Sequence, residues 1–400
     1  MQKYKIKKII WVLLGMIFVA STLRAPLTSV GPVIDLIKTD LNISNSLAGL
    51  LTTIPLILFG MVSPFVSRII NRLTMTGTVL SALCLLFIAI LLRVSGDVGL
   101  FIFGTILLGM AIAIGNVCLP SYVKWRFPLQ IGLFTGVYSA TMNLTAGLGG
   151  GLSYPLSELS PLGYRLSLSF WVILTLLAII FWIPQFKKSR ESELQSEHTF
   201  KQDDKGPKIN LLKSKLAWAV ALTMAMQSMI FYTVIAWMPT ILIDKGLSPT
   251  AAGYLLMLNQ FSQVPMTFIF PIIASKMKNQ KLLVTIVSLL FVIGFSFLFV
   301  DIYIFWILGI IVAGFGMGAG FSLCMMFFSI RARTNNGSMN LSGFGQSVGY
   351  FIAAIGPFLI GLLHDILGGW TIGILSLIVI SILFYIVALQ ASTNKYVEDI

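Results

Sequence analysis

The chain has 400 residues, 57% of them hydrophobic and only 10% charged, with net charge +13 and mean hydropathy +0.94. A soluble domain carries about 25% charged residues, so the composition excludes a soluble globular protein and places the chain in a bilayer. Its charges fall at the ends of apolar blocks about twenty residues long, which suits membrane helices and excludes the alternating strands of a barrel.

Twelve such blocks follow one another at 9–37, 46–70, 75–93, 99–123, 130–157, 165–186, 215–243, 249–275, 282–300, 302–330, 338–364 and 370–391. They predict an all-α membrane protein with twelve transmembrane helices. Lys3, Lys5, Lys7 and Lys8 precede the first block as in a signal peptide, but its length and internal arginine predict an uncleaved helix. With the N-terminus inside, inner segments hold 22 of the 27 Lys and Arg. Outside lie only Lys38, Arg93, Arg165 and Lys245 as end charges. That is the positive-inside pattern; the excess charge sets topology and points to no nucleic acid.

Arg24 stands about fifteen residues into the first block, ~22 Å along a helix. No Asp or Glu falls at that depth in any block, so a ligand is expected to supply the counter-charge; an internal staple to backbone or amide groups is the competing reading. Ser21, Arg24, Thr28 and Gly31 share one helix face by their spacing. Pro26 and Pro32 interrupt the helix above Arg24, and carbonyls freed there must be satisfied locally. Asp35 returns near that face at the outer end, either as a solvated end charge or as half of a gate.

Further along, polar side chains recur at middle depth: Asn116 in the fourth block, Tyr138, Thr141, Asn143 and Thr145 in the fifth, Gln227, Ser228, Tyr232 and Trp237 in the seventh, Asn259 and Gln263 in the eighth, Gln346 and Tyr350 in the eleventh. Each alone suits an interhelical hydrogen bond. Gln227, Tyr232, Trp237, Gln346 and Tyr350 are the preferred substrate contacts, because they offer neutral donors and aromatic walls from the half opposite Arg24. The fourteen Asp and Glu divide evenly between the two surfaces, which disfavours a cationic cargo. A coupling proton is left Asp35 or the His364–Asp365 pair. Cys84, Cys118 and Cys324 all lie within blocks, and the two histidines are scattered, so neither a disulfide framework nor a metal site is expected.

The polar stretch 187–214, rich in Lys, Glu, Ser and Asp, reads as an inner linker between a bundle at 1–186 and a second at 215–400. The two halves repeat. Asp40, Ser44, Ala48 and Gly49 recur as Asp244, Ser248, Ala252 and Gly253 at an offset of 204, with Ser44 and Ser248 as expected N-caps. Gly104, Gly109, Gly115 and Arg126 recur as Gly309, Gly314, Gly320 and Arg331 at 205. Six helices per half preserve orientation, so these are parallel six-helix pseudo-repeats, the arrangement of major facilitator transporters with a site at the interface of the halves.

The stretch Ser21-Thr-Leu-Arg24-Ala-Pro26-Leu-Thr-Ser-Val-Gly-Pro32, followed by Ala48-Gly-Leu-Leu-Thr-Thr-Ile-Pro55, resembles the cyanate/nitroimidazole transporter family of the major facilitator superfamily. Phe231-Tyr-Thr-Val-Ile-Ala-Trp237-Met-Pro239, Gln346-Ser-Val-Gly-Tyr350 and Gly361-Leu-Leu-His-Asp365 with Gly368-Gly-Trp370 extend the likeness over both halves. The resemblance implies a twelve-helix transporter of the bacterial cytoplasmic membrane for a small polar, often anionic solute. The arginine of the family's Leu-Arg-Pro motif matches Arg24, although Ala25 separates it from Pro26. Between Gly60 and Arg72 the superfamily's loop signature retains Arg68 and Arg72 but lacks its acid, which leaves acid-dependent gating in question.

The expected function is secondary transport by alternating access, without enzymatic activity, cofactor or metal. The expected surroundings are lipid, a small-molecule substrate and a multi-pass placement with both termini cytoplasmic; two fused halves make a monomer sufficient. The main alternative is a proton-linked drug exporter of the same fold, and the remote one a membrane-embedded enzyme.

Overall fold

The computed structural model describes residues 2–43, 45–186, 210–367 and 369–399, without the side chains at 2–9, 35, 45–50, 52, 249, 250 and 365. Most of the 187–214 linker, the expected N-cap Ser44, and the side chains of Asp35 and Asp365 therefore lie outside the described residues. Among the described residues the chain is helical and forms no strand.

The first half contains α1 (Gln2–Thr22), α2 (Ala25–Thr28), α3 (Ile34–Leu41), α4 (Asn45–Val62), α5 (Val66–Leu73), α6 (Met75–Val94), α7 (Val98–Arg126), α8 (Ile131–Glu158), α9 (Tyr164–Ser169) and α10 (172–186). The second contains α11 (Lys215–Asp244), α12 (Pro249–Lys276), α13 (Lys281–Ser296), α14 (Tyr303–Ile330), α15 (Asn335–Ala353), α16 (Ile355–Leu367) and α17 (Thr371–Ala391). Among the described residues eleven stretches are long and apolar enough to cross a membrane. The remaining expected block is α8, whose 28 residues suffice in length at 1.5 Å per residue. Its Gly147, Gly149, Gly150, Gly151 and several Ser and Thr lower its hydropathy below that of its neighbours.

Helix starts follow local chemistry. The Ser248 hydroxyl accepts from the Ala251 N–H at 3.2 Å, as expected of an N-cap. Ser214, Thr74 and Thr334 cap α11, α6 and α15 in the same way.

The chain condenses into two compact units, Met1–Tyr122 with Thr145–Lys208 and Val123–Leu144 with Ile209–Ile400. These units and the sequence boundary at 187–214 divide the chain differently over Val123–Leu144. In the first unit the Trp182 indole donates to the Thr76 carbonyl at 2.9 Å and packs on Tyr122. In the second, Phe291 packs on Phe295 and edge-on to Phe384. Lipid tails are as apolar as these rings, so close packing and hydrogen bonds hold such helices together more than exclusion from water does.

The duplication is visible in contacts within each unit. A Cβ on Gly104 would meet the α6 backbone at the Ala89 carbonyl, and one on Gly309 the α13 backbone at the Gly294 carbonyl. Gly109 faces Pro55 and Leu58 of α4, and Gly314 faces Asn259 and Ser262 of α12. Gly115 faces Leu23 beside α1, and Gly320 faces Gln227 of α11. Each matched glycine thus admits the corresponding neighbour in its own repeat. The third pair also sets a register in which Ser228 stands where the first half has Arg24.

Candidate functional site

Arg24 sits at a discontinuity. The α1 ladder ends at Thr22, Arg24 adopts φ −124° and ψ −45° ahead of the one-turn α2, and a 3-10 turn at Gly31–Val33 precedes α3. Pro26 has no N–H to donate, so it cannot continue the α1 ladder. The Leu27 and Thr28 amides return to the Arg24 carbonyl at 3.0 and 3.1 Å, and the Val30 amide turns to Leu27 at 3.4 Å. The arginine itself is only 5% exposed. A permanently charged planar group is therefore buried on irregular backbone, the arrangement the two prolines predict.

Of its expected face partners, the Ser21 hydroxyl donates to the Ile17 carbonyl at 2.9 Å, and the Thr28 hydroxyl turns back on the Arg24 and Ala25 carbonyls at 3.3 and 3.4 Å. Both are engaged with their own helix. Asn116 is buried on α7.

The freed Pro26 carbonyl is satisfied from another helix rather than locally. Arg93, read from the sequence as a charge at the outer end of a block, is only 4% exposed and donates its Nη1 to the Pro26 oxygen at 3.1 Å. Its guanidinium also lies over the Phe101 ring, 5.1 Å from the centroid. Position at a block end gave no signal for this role, because end arginines ordinarily extend towards water. The same segment is held elsewhere. The Ser153 hydroxyl donates to the Ser29 carbonyl, and Gly149 leaves room for Ala25 and Thr28.

In the second unit the structure brings together some of the expected contacts. Tyr232 and Tyr350 pack edge-on at 6.3 Å between centroids, Tyr350 buried and Tyr232 half-buried. The Gln346 amide donates to the Ser342 hydroxyl at 2.9 Å, and Gln227 reaches the Met317 carbonyl at 3.4 Å. Tyr138 is buried on α8, in the segment that belongs to this unit. Trp237 stands apart: its indole donates to the Pro357 carbonyl at 2.8 Å, and its ring packs on Trp370 and into the space left by Gly361.

Of the residues expected in gating, His364 is half-buried and stacks on Trp370 at 4.1 Å, while Arg68 and Arg72 are exposed, Arg68 lying over Phe65. Two networks escaped the sequence. Asp40 accepts from the Tyr164 hydroxyl and the Arg165 guanidinium, both at 2.9 Å; that arginine, then the tyrosine, holds its carboxyl below the usual range. Around the α14–α15 junction, Glu398 accepts from the Arg333 and Thr334 amides and the Thr334 hydroxyl. Arg331 donates to the Ala391 and Ser392 carbonyls and to Gln280, and burial lowers its pKa to about 10. Lys124 donates to the Ser329 and Ala332 carbonyls. Nothing in their sequence neighbourhood marks these residues as bonded, since every partner is distant in the chain.

The Major Facilitator Superfamily model matches residues 10–354. An uncharacterized transporter of Bacillus subtilis (strain 168), YycB, is 36% identical over 391 residues, 97% of this chain and 94% of that one. The 2-nitroimidazole transporter of Escherichia coli (strain K12) is 32% identical, covering 96% of each chain, and that organism's cyanate transport protein CynX is 25% identical, covering 90% of this chain and 91% of its own. Among solved structures, the proton:xylose symporter XylE bound to 6-bromo-6-deoxy-D-glucose superposes with a TM-score of 0.78 at 15% identity, over 98% of each chain; at that identity the likeness is one of fold. An all-helical, duplicated chain with these relatives is a multi-pass membrane transporter of the kind that moves small solutes, and it belongs to the Major Facilitator Superfamily.

Proposed function

We propose that the protein is a secondary active transporter that moves a small polar or anionic solute across the bacterial cytoplasmic membrane by alternating access, with Arg24 as the binding charge. The two halves 1–186 and 215–400 act as the moving bundles, a monomer suffices, and both termini face the cytoplasm. The observation that carries this reading is the burial of Arg24 on broken backbone, with the Arg93 guanidinium bonded to the same segment. Two buried cations, one carried by this segment and one bonded to it, favour an anion or a strongly dipolar acceptor such as a nitro group, and the planar guanidinium matches such groups in two bonds. The relatives named for 2-nitroimidazole and cyanate agree with a small acceptor-rich cargo. Asn116, Tyr138, Gln227, Tyr232, Gln346 and Tyr350 supply neutral donors and ring surface.

The test is a thermal-shift and vesicle-uptake panel of nitrate, cyanate and 2-nitroimidazole on wild type and Arg24→Gln. A charge-assisted pair contributes about 1.5–3 kcal/mol, so binding of the responsive solute should fall ~10- to 100-fold in the variant. Wild-type uptake by Arg24→Gln would overturn the assignment.

A further inference from the structure

The contact between Arg93 and Pro26 has an internal control in the duplicated half. Gly104 admits the stem of Arg93; its counterpart Gly309 admits Phe297 and Leu298, both apolar. The helices that these positions serve differ in the same sense. In the first half the Val30 amide turns to Leu27 instead of Pro26, and the Pro26 carbonyl so left open accepts from Arg93 at 3.1 Å. In the second half α11 runs unbroken for 30 residues through the matching register at Gln227 and Ser228. A cation is present where a carbonyl has been freed and absent where the ladder consumes its own. Inside a bilayer a freed carbonyl is costly unless a donor is supplied, so the break and Arg93 require each other.

Arg93 is bound from two other sides as well. Its guanidinium lies over Phe101, and α7 passes close to its stem at Gly104. Side-chain entropy has already been surrendered, which makes it a fixed support rather than a flexible arm.

We infer that Arg93 is a positioning residue for solute binding: by holding the Pro26 carbonyl it keeps the chain from Leu23 to Val33 in the broken form that presents the Arg24 guanidinium. This rests on the proposed role of Arg24, but its structural half is testable without any solute.

The experiment uses the purified full-length protein with Arg93→Met, Arg93→Lys and Arg24→Gln. Amide hydrogen exchange over Leu27–Val33 should quicken by at least about tenfold in Arg93→Met, return most of the way in Arg93→Lys, which keeps a charged donor, and stay at the wild-type rate in Arg24→Gln. Nitrate binding should weaken about fivefold or more in Arg93→Met and recover in Arg93→Lys. If Arg93→Met does not fold, Arg93→Gln takes its place in both arms. Unchanged exchange over Leu27–Val33, or a rise spread evenly over the protein, overturns the proposal. So does faster exchange with nitrate affinity intact, since Arg93 would then support the fold alone. If wild type binds no anion, the assignment of Arg24 falls, whereas the exchange arm still decides whether Arg93 holds the break.

Discussion

Asp40 and Asp244 stand 204 positions apart in the sequence, and each accepts a hydrogen bond from an aromatic donor at the start of its own unit's last membrane helix. The donor is the Tyr164 hydroxyl for Asp40 and the Trp370 indole for Asp244. The duplication has therefore preserved an interaction while exchanging its donor, and only the first copy adds a cation, Arg165. An aromatic residue there gives a donor on a rigid body, fixed by the packing of its ring.

The added cation makes the first copy sensitive to pH. Asp40 is depressed below its ordinary value of about 3.9 by Arg165 first and Tyr164 second. A carboxylate so depressed stabilises the folded state at pH values above its ordinary pKa, and the contribution disappears as pH falls through the folded value. The pair is solvent-exposed, so Asp40→Asn should cost less than about 1 kcal/mol at pH 7. The difference in thermal midpoint between wild type and variant should narrow as pH falls below about 3.9 and shrink in 1 M salt. A difference that persists in acid would mean that the charge is not what matters.

The glycine pairs give a sharper energetic contrast. A Cβ on Gly309 would lie 2.7 Å from the Gly294 carbonyl oxygen, which is backbone and cannot swing aside. Gly309→Ala should therefore force α13 and α14 apart at about 1–3 kcal/mol, the usual range for overpacking. Gly253, the repeat partner of Gly49, has nothing within 4 Å of such a Cβ. There the same change should stabilise by about 0.5–1 kcal/mol, because alanine restricts the unfolded chain. Thermal unfolding of the two variants in one detergent checks both signs.

What the sequence made legible and what it hid follow one physical line. Proline positions, N-caps and the matched glycines act through the backbone within a turn or across one neighbouring helix, so the break around Arg24, the Ser248 cap and the repeat all stand in the structure as read. Arg93 has no such signal, because its partner is a carbonyl left open only where the Val30 amide turns to Leu27. The tie from Trp237 to the Pro357 carbonyl has no signal in the sequence, because an indole N–H carries no mark of an acceptor 120 positions away. Glu398 carries no mark in the sequence of the Arg333 and Thr334 amides, just ahead of α15, that the fold lays against it.

That acid yields a stability prediction. Glu398 Oε1 accepts from the Arg333 and Thr334 amides at 2.9 and 3.1 Å, while Val397 is fully buried and its amide donates to Arg331. Glu398 thus fixes the turn that leads into α15 by bonding the two amides just ahead of it. Glu398→Ala should cost about 1–2 kcal/mol, and exchange should quicken at Arg333 and Thr334 before it does within the helix. Equal protection in variant and wild type would show that the Thr334 cap alone holds the helix start.

Trp237 offers the test that separates a wall of the binding site from a structural tie. If its ring contacts solute, Trp237→Phe should raise the KM for uptake while leaving the thermal midpoint near that of wild type, since phenylalanine keeps an aromatic face. The contacts argue otherwise. The indole N–H is committed to the Pro357 carbonyl at the α15–α16 boundary region, and the ring fills the space between Trp370 and Gly361. Phenylalanine removes the indole's bond to that carbonyl and opens part of that space. The expected outcome is a loss of about 1–3 kcal/mol in stability with KM changed less than twofold. Phenylalanine at Tyr232 or Tyr350 keeps the ring pair and should show the reverse pattern, with KM rising more than at Trp237. Opposite responses at Trp237 and at the tyrosine pair would divide α11 into a tying segment and a solute-facing one.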